Sequence, residues 1–206
     1  MIDNIDLIKP LLNFENDGDF YMLYVFKRKK DQATDKANHQ SVRTIKTYVV
    51  ESIDYLEKRY DEIKQLCEMF NARAYIHIQK QNHKDVSLDM LVALAEKIKN
   101  GQHVQTHLFD SVVGQMKTYE KRWIIDIDTK SIHIRNMIVN IIESVRPNDN
   151  GSKIEATIPT KNGVHLITSR FDVMEFSKQL TQRGEEVPDI QKKNPTLLYL
   201  PNSLDN

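Results

Sequence analysis

The chain has 206 residues, 40% hydrophobic and 28% charged, which suits an ordinary globular protein with one sizeable core. Its 29 basic and 29 acidic side chains cancel, so the overall charge argues neither for nor against a polyanionic partner. A single cysteine, Cys67, excludes an internal disulfide framework and a cysteine-rich zinc knuckle.

The opening stretch "MIDNIDLIKPLLNFEND" has acids and a proline where a secretory leader needs a basic start and an apolar run. No stretch approaches the roughly 20 apolar residues of a membrane span, so the expectation is a cytosolic protein without membrane contact. "DFYMLYVFKRK" (19–29) reads as a first strand, rich in aromatic and β-branched residues. The polar stretch 31–40 reads as a loop and "RTIKTYVV" (43–50) as a second strand. Residues 27–46 hold seven basic side chains against two acids, a local positive excess. From Ser52, apolar residues recur at Ile53, Leu56, Tyr60, Ile63, Cys67 and Phe70, which describes an amphipathic helix with a core thiol. "ARAYIHIQK" (72–80) alternates as a half-buried strand, and two weaker helices follow near 86–99 and 107–118. "HVQTH" sets His103 and His107 four apart, as on zinc helices, but lacks the accompanying glutamate.

The second half is more regular. A strand at 122–128 leads into a helix capped by Ser131, with Ile134, Met137, Ile138, Ile141, Ile142 and Val145 on one face. A turn, strands at 153–159 and 164–168, and a helix capped by Asp172 follow. A polar link then precedes a last strand, "TLLYL" (196–200). The order β-α-β-β-α-β, with right-handed crossovers, predicts a four-stranded antiparallel sheet with both helices on one face. The other face is expected to be free. The chain therefore divides into an N-terminal αβ module (1–118) and a second unit (119–206), together one compact α+β domain.

"RWIIDIDTK" (122–130) is the sharpest local feature. Asp126 and Asp128 lie inside an otherwise apolar strand, where unpaired carboxylates are costly. Two residues apart on a strand, they point to the same side. His165 lies on the strand expected beside them. Such a pair could hold a divalent metal such as Mg²⁺ or Mn²⁺, which take carboxylate, phosphate and water oxygens. The bland alternative pairs the acids with Arg122 and Lys130, or has them cap the following helix.

These residues resemble the motifs of the archaeo-eukaryotic primase superfamily, the primase-polymerase fold. That family carries apolar-Asp-apolar-Asp on the first strand of an RRM-like β-α-β-β-α-β unit, then small-residue-x-His on a later strand. A smaller αβ module precedes the unit. "IIDID" (124–128) matches the first motif and "TKNGVHLIT" (160–168) the second. The resemblance implies Asp126 and Asp128 as catalytic metal ligands, with His165 as a catalytic residue contacting nucleotide phosphate. Lys161, Gly163 and Arg170 flank the second motif and extend this nucleotide-binding set. Gly163 stands where the family usually has Ser. The family's further acid near the last strand has no counterpart in "TLLYL", with Asp189 before it and Asn202 after it. Catalysis then uses Asp189, runs weakly on two acids, or is absent.

In the first module, Arg43, Lys46, Arg73 and Tyr75 suggest a basic, aromatic surface for single-stranded nucleic acid. The expected function is a metal-dependent nucleotidyltransferase, a minimal DNA primase or polymerase. Its expected partners are nucleoside triphosphates and a nucleic-acid template, single-stranded DNA in particular. A phage or mobile element is the setting the resemblance suggests. The alternatives are a non-catalytic RRM-like nucleic-acid or protein-binding module, and a metal-dependent nuclease.

Overall fold

The computed structural model describes residues 1–28, 42–102, 108–115, 122–148 and 151–202. The fold is α+β, with six α-helices and antiparallel strand pairing throughout among these residues. In chain order the elements are β1 (Ile2–Asp3), α1 (Ile5–Ile8), β2 (Asp19–Arg28), β3 (Val42–Val50), α2 (Ile53–Phe70) and β4 (Arg73–Ile76). Then come β5 (Gln81–Asn82), α3 (His83–Lys99), α4 (Leu108–Gln115), β6 (Trp123–Ile127), α5 (Ile132–Ser144) and β7 (Ile154–Pro159). The chain closes with β8 (Val164–Thr168), α6 (Val173–Gln182), β9 (Asp189–Gln191) and β10 (Thr196–Leu200). The loop read at 31–40 and the pair His103 and His107 lie outside the described residues.

Local chemistry sets the helix ends. Ser52, Ser131 and Asp172 each accept a hydrogen bond from the backbone N–H three residues on, at the starts of α2, α5 and α6. Asn71 ends α2 in the left-handed region at φ 50°, a conformation asparagine tolerates.

Two sheets result. The first runs β1-β10-β4-β2-β3, with β5 paired to the start of β2. Alternation along β2 sends Tyr21, Leu23 and Val25 toward α2, against Leu56, Ile63 and Cys67. Phe20 and Met22 face the other way, onto Val86 of α3 and Val112 and Val113 of α4. The second sheet runs β7-β8-β6-β9. Its Ile125, Ile127, Val164 and Leu166 pack beneath α5 and α6 against Ile138, Ile142, Phe176 and Leu180.

Two expectations are corrected here. Residues 196–200 do not close the second sheet; they enter the first, between β1 and β4. The second sheet takes Asp189–Gln191 as its fourth strand instead. Five fully buried residues in "TLLYL" demand cover on both faces, which the interior of the larger sheet supplies and an edge does not. The face opposite α5 and α6 is also not free. Ile124, Ile158 and Ile167 lie on it and join the α2-side core of the first sheet. Among the described residues of this face, Asp126, Asp189 and Gln191 keep solvent exposure.

Buried amides clip the two sheets together. Asn4, 1% exposed, donates through Nδ2 to the carbonyls of Pro159 and Leu197, both at 2.9 Å. Gln79 donates to the carbonyls of Arg122 and Lys192. Replacing Asn4 with Ala strips two buried carbonyls of their donor, so urea denaturation should show a loss of about 2 kcal/mol. A loss below about 0.5 kcal/mol would mean these bonds hold nothing.

Candidate active site

β6 places Asp126 at the middle of the second sheet, half-buried, with a neighbour on each side. In register it faces His165 of β8 and Asp189 of β9. Directly opposed residues on antiparallel strands share a face, so the three side chains emerge side by side. Asp128 lies just past the end of β6 and is exposed. The structure therefore brings Asp126, Asp128 and His165 together, and adds Asp189 as a third acid. Gln191, two residues on, donates to Asp189 Oδ2 at 2.8 Å and reaches Asp126 Oδ2 at 3.5 Å. Its amide sits between two like charges that would otherwise repel.

His165 is 7% exposed and links the sheets. Its Nδ1 lies 2.9 Å from the hydroxyl of Thr196 on β10, and its Nε2 3.5 Å from Asp126 Oδ1. A carboxylate only accepts, which assigns the ring proton to Nε2 and leaves Nδ1 to accept from Thr196. Burial pushes the imidazole down to about 4; Asp128 opposes the shift and Arg28 adds to it. The ring is neutral at pH 7, so toward Asp126 it offers a hydrogen bond and not a charge.

That depression has a sign that can be checked. Unfolded, the ring titrates near 6.5; folded, near 4. Its stabilising contribution is full above pH 6.5 and is lost as pH falls toward 4. His77, also pushed down to about 4 by burial, acts in the same window. His165→Gln should therefore lose less stability than wild type between pH 7 and 4.5, by about 2 kcal/mol in urea melts. An identical pH slope in the two proteins would count against the buried neutral ring.

A cleft of about 370 Å³ opens at this end of the sheet, lined by Asp126, Asp128 and Asp189 with Glu185 and Glu186 from the segment before β9. Ile127, Ile134, Ile138, Val187 and Pro188 form its apolar wall. Five carboxylates around one cleft repel any anionic ligand unless a cation is present, and hard divalent ions take this donor set. Among the described residues, no group of three or more His, Cys, Asp or Glu side chains is drawn close enough to hold a metal ion ready-made. The donors fit Mg²⁺ or Mn²⁺ in kind, with Gln191 now occupying the space between two of them.

Gly163 supports the site from below. A Cβ there would lie 1.8 Å from the carbonyl oxygen of Ile127, between the two aspartates in sequence. Its N–H is taken by the Thr160 hydroxyl at 3.2 Å, so in this fold Gly163 serves close approach of two backbones. Lys161, half-buried, sits on the same turn, beside the acidic end. Arg170 is exposed at the opposite end of β8, where it lines a shallow groove with Trp123 and Arg146. At about 3.3 Å per residue, the strand holds Arg170 on the order of 15 Å from His165.

The four N-terminal candidates do not share one face. Lys46 pairs with Glu62 of α2 and lies over the Tyr48 ring at 4.9 Å. Arg43 is exposed on the same strand. Arg73 is 3% exposed on β4, and Tyr75 stacks on Phe26 at 4.8 Å, away from the α2 side. Sequence reasoning passed over Gln191, Thr196, Arg28, Glu185 and Glu186 as members of the site. "PDIQ" (188–191) holds a short alternation, but three residues are too few to mark a strand.

No protein family matches the chain, and no curated protein or solved structure matches it. Among the described residues, no helix is long and apolar enough to cross a membrane.

Proposed function

We propose that the chain is a metal-dependent nucleotidyltransferase of the primase-polymerase type, acting on nucleoside triphosphates with a nucleic-acid template. One observation carries the reading: His165, Asp126 and Asp189 stand in register across three adjacent strands, with Asp128 at the rim. Asp189 supplies the further acid that "TLLYL" lacks, because β9 takes the place expected for residues 196–200. The strand neighbours β7-β8-β6-β9, with α5 and α6 on one face, support an RRM-like unit.

In this reading Asp126, Asp128 and Asp189 would hold Mg²⁺ or Mn²⁺, which would supply positive charge to a transferring phosphoryl group. His165, its ring held by Thr196, would share its Nε2–H between Asp126 and a phosphate oxygen. Arg28, close enough to act on the imidazole, and Lys161 provide the cations a triphosphate requires.

A second reading draws on the absence of a ready-made metal cluster among the described residues. It is a non-catalytic module that binds nucleic acid or protein, with the acids held by Gln191. A nuclease would use the same acids with water as nucleophile. Incubation with Mn²⁺, labelled triphosphates and a primed single-stranded template separates the three. Primer extension supports the proposal; cleavage of the strand, or no reaction, overturns it in favour of the nuclease or the binding module.

A further inference from the structure

α3 carries two apolar stripes where one is needed. Val86, Met90 and Ala93 face the protein's own core with α4. On the opposite side, Leu88, Leu91, Val92 and Ile98 are 52%, 63%, 59% and 63% exposed, with Ala95 exposed between them. The steps Leu88-Leu91-Ala95-Ile98 run three, four, three, the spacing of a seam that packs against another helix. Lone exposed apolar residues need no explanation, but an uninterrupted stripe of three turns does.

The flanking charges specify the occupant. Asp85, Val92 and Lys99 are seven residues apart each, so they form one row along the edge of the seam. In an antiparallel pair of identical helices centred near Val92, Asp85 of one copy meets Lys99 of the other, twice. The same alignment sets Leu88 against Ile98 and Leu91 against Ala95. A parallel pair would place the Asp85–Lys99 rows of the two copies on opposite edges of the seam, where these charges cannot pair. The surface is thus complementary to itself under a two-fold axis, the arrangement of an isologous dimer.

We infer that α3 is a self-association helix, pairing antiparallel with α3 of a second copy of this chain. The inference does not depend on the chemistry proposed for the cleft. Sedimentation equilibrium of the full chain across micromolar concentrations should show a monomer–dimer equilibrium. Leu91→Glu should weaken it at least tenfold while leaving the circular dichroism spectrum unchanged. Asp85→Lys and Lys99→Asp should each weaken self-association, and an equimolar mixture of the two should recover it as a heterodimer. A chain that stays monomeric at the highest concentration, a dimer indifferent to Leu91→Glu, or a mixture that fails to recover would each overturn the inference.

Discussion

Asp126→Ala should reduce metal-dependent primer extension about a thousandfold or more, measured as single-nucleotide incorporation with Mn²⁺. Its stability should change by less than about 1 kcal/mol, since the contacts of Asp126 to His165 and Gln191 are both long, at 3.5 Å. Asp189→Ala should lose activity to a similar degree, because the two carboxylates face each other across one strand pair. Normal incorporation by the Asp126 variant would end the enzyme reading. Normal incorporation by the Asp189 variant alone would leave a site built on two acids. The third acid is the more informative of the two, since its place in the site follows from strand pairing and not from any motif.

The second large effect is structural. Gly163→Ala puts a methyl group 1.8 Å from the Ile127 carbonyl oxygen and 2.9 Å from the Thr129 nitrogen. Both obstacles are backbone, so no side chain can swing aside; β6 or the 160–163 turn must move. Thermal or urea denaturation should show a loss of about 3 kcal/mol or more. The shift would also displace Asp128, so activity should fall even where the variant folds. Serine, usual at this point in the family the motifs resemble, meets the same carbonyl. The turn is therefore shaped differently from what that resemblance implies. A Gly163→Ala variant as stable as wild type would show that the two backbones are not pressed together.

Much of this was legible from the order of residues. The periodicities of α2 and α5 and the alternation of the strands depend on burying one face, and burial of one face leaves a repeating trace in the sequence. Ser131 and Asp172 could be read as caps because a cap is a local chemical need. The Asp126–His165 pairing followed from element order and the handedness of crossovers. Residues 196–200 were misassigned because a strand buried on both faces has no period to say which sheet it enters. The free face was misjudged for a related reason. Ile124, Ile158 and Ile167 show apolar character in the sequence, but nothing in their spacing says that a second sheet arrives to cover them. Asp189 and Gln191 stayed ambiguous because a strand of three residues falls below the length at which alternation stands out.

β10 lies inside the first sheet, yet it is the last strand in chain order among the described residues. A ribosome delivering this chain therefore exposes the N-terminal strands long before this interior partner emerges. The first sheet must wait, unfinished, for residues near 200, and this long-range closure predicts slow folding. It also makes the halves inseparable: expressing residues 1–118 alone omits an interior strand, and trimming the end removes the hydroxyl that steadies His165.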